Sequence, residues 1–569
     1  MYRNARRLAV LAAGLTLLAT GGATAATAPL LTKPVQVTKD DLNPGRTYSS
    51  PDYVVDPSNP MIIVGSYVEL RTRRCGLVRT TDGGQTWTRL DPGNSSPSPS
   101  SYPNCNSSAR GTFEAQAAFG RGGSLYMALT GWDAQDGGLG SDPSIIVSKS
   151  TNLGDTWQPV VARNNRGKTD TAQEADRPVT AIAVDAKTGS ADYVYVGASR
   201  RSPGFSAPNA APNQPIVLVS SDGGKTFADP IDLSQTAFTD AGLRKSAISA
   251  TTTTVATPGT TTTVPAAGSK AATPDQAANF GGFGPTVTVD SKGTVYAIWP
   301  TGSANLTPSP PGGILMSKST DHGKTWTTSQ IAPFDYKTGS FVTATWGPAG
   351  GAEGTLHVVA NGTEDPTIAN YADIYYYNST DGGKTWSARK NVTDDDPKQL
   401  YNQSFANVAV SPNGRIEVAF FDTRNDPGTR SNDVYLTTST DNGKTWSKNV
   451  RVTDQLIDRK IGVFGNNSDV NAPPGLVATN LETVVGWDDT RNGDAVGQAQ
   501  DIYTANLQYQ KLGGGTSRVA KVALAAVVGL LMVGLVLLVA ALLGRAKRGG
   551  STTGGKAEPA ITPAAAKVT

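Results

Sequence analysis

One octapeptide recurs six times along the chain. It reads TTDGGQTW at 80–87, STNLGDTW at 150–157, SSDGGKTF at 220–227, STDHGKTW at 319–326, STDGGKTW at 379–386 and STDNGKTW at 439–446. Six near-copies of one eight-residue pattern do not arise by chance. Their starts lie 70, 70, 99, 60 and 60 residues apart. Recurrence at such a period means a repeat architecture, with one supersecondary unit per period. The chemistry of the octapeptide is that of a hairpin turn. Its aspartate accepts bonds from nearby backbone amides. The glycine two residues on permits positive φ. The threonine and the aromatic open the next strand, where β-branched and aromatic residues fit.

Alternating apolar residues precede each copy, as in Ile216-Val217-Leu218-Val219. Upstream of each lies a second hairpin, such as ANVAVSPNGRIEVA at 406–419. Each unit is therefore four antiparallel strands, with the octapeptide joining the third to the fourth. Four-stranded units repeated radially are propeller blades. A seventh unit lacks the octapeptide. Its Trp487-Asp488-Asp489-Thr490-Arg491-Asn492 matches Phe420-Phe421-Asp422-Thr423-Arg424-Asn425, and its Asp501-Ile502-Tyr503 matches Asp433-Val434-Tyr435. It stops after three strands. The segment PVQVTKDD at 34–41 resembles KNVTDDD at 390–396 and RVTD at 451–454, which follow octapeptides in their own units. The N-terminal strand is expected to complete the last blade and close the ring, removing an exposed sheet edge. The fold expected is an all-β, seven-bladed β-propeller over residues 34–510, with six blades as the alternative. Residues 251–276 form a low-complexity Thr/Ala/Pro insertion that accounts for the long interval.

Composition agrees. The chain has 569 residues with 62 glycines and 36 prolines, which favours turns and short strands over helices. Fifty basic against 47 acidic residues give a net charge of +3, no footprint for nucleic acid. Two cysteines and two histidines, His322 and His357, argue against a metal site or a histidine triad, and neither a metal nor a cofactor is expected. Residues 1–25 read as a secretory signal: Arg3, Arg6 and Arg7, an apolar run, then Ala23-Thr24-Ala25. From Val522 to Gly544 there are 23 residues without charge, enough to span a bilayer as one helix. Arg545, Lys547 and Arg548 follow, so residues 545–569 are expected as a disordered cytoplasmic tail, with the propeller outside a single-pass membrane anchor. In that compartment disulfides persist, and Cys75 is expected to pair with Cys105.

The octapeptide is the Asp box, or BNR repeat, and the chain resembles the sialidase-like Asp-box β-propeller superfamily over nearly all of 34–510. The resemblance implies that Asp82, Asp222, Asp321, Asp381 and Asp441 are structural, at turns away from the ligand. Blade 2 departs from the pattern, with Asn152 in place of aspartate. Sialidases of the superfamily clamp a carboxylate with three arginines, one in an Arg-Ile-Pro motif near the start, and use a Tyr–Glu pair and an aspartate. The first blade here has no Arg-Ile-Pro.

Strand order puts the loops between strands two and three, and those from blade to blade, on the face opposite the Asp boxes. Ligand-binding candidates on that face are Arg74 (in a cluster with Arg71 and Arg73), Trp132, Asp133, Glu174, Asp176, Arg177, Trp299, Tyr401, Asp422, Arg424, Asp489 and Arg491. Arginine suits bidentate carboxylate binding, so Arg424 and Arg491 could converge on an anion. The recurrence of Asp422–Arg424 and Asp489–Arg491 equally suggests structural ion pairs. Trp132 and Trp299 suit blade packing or sugar stacking. The reading is a surface propeller that binds a glycan or protein ligand; an exo-acting sialidase-like glycoside hydrolase is the alternative.

Overall fold

The octapeptides lie where each third strand gives way to a fourth, and seven antiparallel sheets follow in chain order. The structure, a computed structural model, describes residues 29–39, 47–69, 74–90, 115–131, 144–165, 175–201, 213–238, 284–301, 312–335, 341–349, 354–363, 372–396, 399–426, 431–462, 472–494 and 496–509, apart from 397–398 and 495. All belong to a compact unit, Met1–Gln510; a second unit, Lys511–Thr569, holds no described residue. The expected leader at 1–25, the insertion at 251–276, the apolar span at 522–544 and the tail at 545–569 lie outside the described residues. Among the described residues no helix is long and apolar enough to cross a membrane.

Blade 1 is Tyr48–Asp56, Asn59–Glu69, Arg74–Thr80 and Thr88–Arg89. Blade 2 is Ala115–Phe119, Leu125–Gly131, Ser144–Ser150 and Gln158–Arg163. Blade 3 is Ala175–Asp185, Tyr193–Arg201, Gln214–Ser220 and Ile231–Asp232. Blade 4 is Thr286–Val289, Val295–Pro300, Gly312–Ser319 and Thr327–Asp335, whose outer strand also takes Ala237–Phe238 in parallel. Blade 5 is Val342–Gly347, Thr355–Gly362, Asp373–Ser379 and Lys390–Asn391. Blade 6 is Gln403–Val410, Ile416–Asp422, Ser431–Ser439 and Val450–Arg451. Blade 7 has three strands of its own, Gly475–Ala478, Glu482–Asp489 and Asp501–Gln508. The first strand of each blade packs against the first strand of the next, and Gly475–Ala478 returns to Tyr48–Asp56. The propeller is therefore seven-bladed, and the six-bladed alternative falls.

The N-terminus closes the ring. Val35–Gln36 pairs with Thr504 and Tyr503. Pairing starts earlier than the sequence suggests, because Leu30–Leu31 also pairs with Gln508 and Leu507. The bonds repeat those of ordinary fourth strands. The amides of Val37, Val392 and Val452 donate to the carbonyls of Ile502, Ile374 and Val434 at 2.9, 2.9 and 2.8 Å. The following hydroxyls of Thr38, Thr393 and Thr453 donate to Asp501, Asp373 and Asp433 at 3.2, 3.0 and 2.6 Å. Near the axis, the Tyr53 ring lies against Gly65, Gly475 and Gly486, where an added Cβ would come within 2.3–2.5 Å of the ring.

The Asp box works as a self-contained turn. Ser439 donates to Asp441 Oδ1 at 2.9 Å, while Thr445 donates its amide to Oδ1 at 2.8 Å and its hydroxyl to Oδ2 at 2.6 Å. These bonds, the Thr445 hydroxyl first, hold the Asp441 carboxyl down to about 2. Asn152 reproduces the turn with one bond reversed: its Nδ2 donates to the Thr156 hydroxyl at 2.9 Å. The residue after the box aspartate, or after Asn152 in blade 2, also has positive φ, 59° at His322 and 55° at Leu153. The sequence had indicated only the next position. The box aromatics Trp87, Trp157, Phe227, Trp326, Trp386 and Trp446 each join an apolar cluster shared with the preceding blade. Burying a large apolar side chain is worth ~1.5–3 kcal/mol, so these aromatics hold blade to blade.

Candidate functional site

The first strands surround a cavity of about 480 Å³ on the axis. Its walls come from the starts of those strands and from the ends of second strands, at Pro300 and Asn361. It therefore lies toward the face opposite the Asp boxes. The walls are neutral hydroxyls, amides and apolar groups with one carboxyl, Asp52. Several wall groups tie successive first strands together. Asp52 Oδ2 accepts from the Ala117 amide at 3.3 Å. Thr180, Thr343 and Asn407 donate to the carbonyls of Pro285, Ala406 and Pro474 at 2.8, 3.0 and 3.0 Å.

The chain bulges at equivalent places in blades 1 and 6. Register shifts occur between Ser49 and Asp52 and between Ser404 and Asn407. Within these bulges Ser50 and Phe405 carry φ of 59° and 51°, which side chains other than glycine rarely adopt. Bulges re-aim side chains and gather beside functional sites. Phe405 meets Phe341 of blade 5 with ring centroids 5.1 Å apart, and both rings line the cavity.

Two carboxyls near the junction of blades 7 and 1 titrate far from their usual range. Burial pushes Asp52 up to about 7, against the Ala117 and Tyr53 amides. Burial likewise pushes Asp488 up to about 7, against the Ser49 hydroxyl and Ser50 amide, which donate at 2.7 and 3.1 Å. Burial, then the charges of Asp488 and Asp52, raise the Tyr53 hydroxyl. A carboxyl raised when folded gives stability that is complete below its unfolded value near 4 and is lost as pH rises toward 7. The Asp boxes act oppositely, losing stability as pH falls from about 4 to about 2. Thermal melts across pH are therefore expected to peak near pH 4–5 and decline toward 7, and Asp488→Asn to flatten that decline. A melting temperature that rises steadily from pH 4 to 7 contradicts the assignment.

The sequence candidates whose side chains are described do not line this cavity. Arg424 Nε donates to Asp422 Oδ2 at 2.8 Å, its NH1 reaches Asp394 of blade 5 at 2.7 Å, and its guanidinium covers the Tyr435 ring at 4.3 Å. Arg491 repeats this with Asp489 at 2.9 Å, Asp454 of blade 6 at 2.8 Å and the Tyr503 ring at 4.1 Å. Asn425 and Asn492 complete both cages, donating to Asp433 and Asp501 and to the same tyrosines. The recurrent pairs are inter-blade ties, and neither arginine lines the cavity. Asp176 is buried between Arg163 and Arg200, each at 2.6 Å. Trp299 is fully buried among Leu315 and Trp326, in the core between blades 3 and 4. Tyr401 is half-buried before the first strand of blade 6 and does not line the cavity. Arg74 and Arg177 lie on strands, with side chains outside what the structure describes. Arg71, Arg73, Trp132, Asp133, Glu174 and Cys105 lie outside the described residues, while Cys75 is buried on the third strand of blade 1. His357 is buried against the Tyr376 hydroxyl at 2.7 Å and held down to about 3 by burial; His322 stacks on Tyr193 in an Asp box.

Sequence reasoning missed Asp52, Phe341, Phe405 and Asn407. No motif marks them. The usable signal was the paired bulge: aligning YSSPDYVV at 48–55 with QSFANVAV at 403–410 superposes Ser50 on Phe405 and Asp52 on Asn407.

Residues 293–456, from blade 4 to the tail of blade 6, match the family described as BNR repeat-like domain. No curated protein matches the chain in sequence. Among solved structures, a protein of unknown function from Dyadobacter fermentans DSM 18053 is 12% identical, with 85% of this chain and 100% of that one covered and a TM-score of 0.40. The Hadza microbial sialidase Hz136 is 15% identical over 79% and 74%, with a TM-score of 0.39. The Trypanosoma rangeli sialidase in complex with the inhibitor DANA is 14% identical over 73% and 58%, also at 0.39. Residues 293–456 thus match BNR repeats, as the octapeptides imply, within a seven-bladed β-propeller.

Proposed function

We propose that this propeller binds a glycan or protein ligand at its axial cavity, outside the cell, on a single C-terminal membrane helix. One observation carries the binding reading: the cavity is walled by neutral polar groups, two phenyl rings and Asp52, while Arg424 and Arg491 are committed to ties between blades. An axial cavity of about 480 Å³ with a few convergent polar groups is the ordinary form of a small-ligand site. The uncharged run 522–544 and its basic flank support the anchor.

Two experiments test this. The first gives the purified chain a fluorogenic sialoside, beside an Arg424→Ala, Arg491→Ala double variant. No turnover is expected, and the double variant should lose about 2–3 kcal/mol of stability per site, since each substitution strips a buried carboxylate of its charged partner. Turnover by the native chain supports the hydrolase alternative and refutes the binding reading, and its loss in a still-folded double variant would return the two arginines to the site. The second labels intact cells with a membrane-impermeant amine reagent. Labelled lysines on the propeller agree with the topology; label confined to 545–569 contradicts it.

A further inference from the structure

Phe341 and Phe405 form the largest aromatic surface on the cavity wall. Phe341 belongs to blade 5, across the ring from blade 1 and Asp52, and Phe405 to blade 6, which blade 7 alone separates from blade 1. Phe405 holds its place at φ 51°, inside a bulge that recurs in blade 1 at Ser50. A bulky residue kept at positive φ is strained, and such strain gathers at ligand clamps. The described wall holds hydroxyls at Ser50, Thr180 and Thr286 and amides at Asn361 and Asn407, with no lysine or arginine.

A saccharide matches both halves of this wall. The C–H face of a sugar ring stacks on an aromatic ring, and its hydroxyl edge pairs with short polar side chains. An acidic sugar matches poorly, because its carboxylate would lose water beside Asp52 without a cation in the described wall. We infer that the cavity is a subsite for an uncharged saccharide, which stacks on the Phe341–Phe405 pair and hydrogen-bonds to Asp52 and the neutral groups beside it. This rests on the reading that the cavity is the ligand site.

The test is calorimetric titration of the full chain with arabino-, galacto- and manno-oligosaccharides, and with sialyllactose and oligogalacturonides as acidic probes. The variants are Phe341→Ala and Phe405→Gly; glycine accepts the positive φ, so the second removes the ring while relieving the backbone. At least one neutral series should bind, with affinity falling about tenfold in each variant as one stacked ring is lost, and thermal melts should show both variants folded. Preference for the acidic probes overturns the uncharged ligand while leaving the cavity as the binding site. Neutral binding undiminished in both folded variants removes the site from the cavity and overturns the inference together with the reading beneath it. If no saccharide binds, the inference fails and only the protein-ligand form of that reading stands.

Discussion

A chain lacking residues 26–38 is expected to lose most of its folding stability, because it loses the fourth strand of blade 7. That strand contributes two short ladders and further bonds at Thr32, Val37 and Thr38. With a typical net worth of about 1 kcal/mol per hydrogen bond, roughly half a dozen sum to about 5 kcal/mol. Val37 adds its burial in the cluster between blades 7 and 1. The total rivals the whole stability of many domains, about 5–15 kcal/mol. Truncation also bares the edge of Asp501–Gln508, a template for aggregation. Urea unfolding of the truncated and intact chains measures the loss, and a synthetic peptide spanning 29–40 should restore part of it. Equal midpoints would mean that the ring does not depend on this strand.

Arg415→Ala is the most damaging single substitution expected. Blade 7 has no Asp box, so no box aromatic reaches back onto blade 6. Tyr509 takes that place. Its ring lies under the Arg415 guanidinium at 3.5 Å and its hydroxyl donates to Glu417 Oε1 at 2.7 Å. Arg415 Nε donates to the same oxygen at 2.5 Å, Thr438 donates to Oε2 at 2.7 Å, and Arg415 also reaches the Thr479 carbonyl of blade 7 at 2.8 Å. Glu417 has no exposed side-chain surface. Burial raises its pKa and the Arg415 charge opposes that rise. Without Arg415 a buried carboxylate lacks its counter-charge, which costs about 3–5 kcal/mol. The carboxyl then stays protonated to higher pH, so the loss grows as pH rises above the unfolded value near 4. Unfolding at pH 5 and pH 8 checks both size and sign. A loss below about 1 kcal/mol at pH 8 would show that the pair does not hold blade 7. Arg415→Ala, Glu417→Gln should recover much of the loss, because no charge is then left buried.

What repeats in this chain was legible in its sequence, and what occurs once or twice was not. Val37-Thr38 resembles Val392-Thr393 and Val452-Thr453 because all three make the same two bonds, so ring closure could be read. Asp422–Arg424 and Asp489–Arg491 recur because each ties a blade to the tail of the one before, and recurrence pointed to structure. The start of the closing strand was read late, since Leu30 and Leu31 have no counterpart in the other tails. Tyr509 with Arg415 and Glu417 replaces a missing octapeptide by different chemistry, so pattern matching passes over it. The cavity wall was hidden for another reason. A bulge shifts which side chains face inward, and alternation read from sequence assumes an unbroken strand. Ser50 and Phe405 occupy equivalent bulges, yet their side chains share no chemistry that would align them.

The most direct measurement is binding and hydrolysis by one sample: the intact chain titrated with neutral oligosaccharides by calorimetry, with released reducing ends assayed in the recovered solution. A binding cavity gives saturable heat, weakened by Phe341→Ala, with no reducing ends above those formed without protein. Reducing ends that accumulate with the native chain and vanish on Asp52→Asn would contradict it, and would make Asp52 a catalytic acid in a glycoside hydrolase.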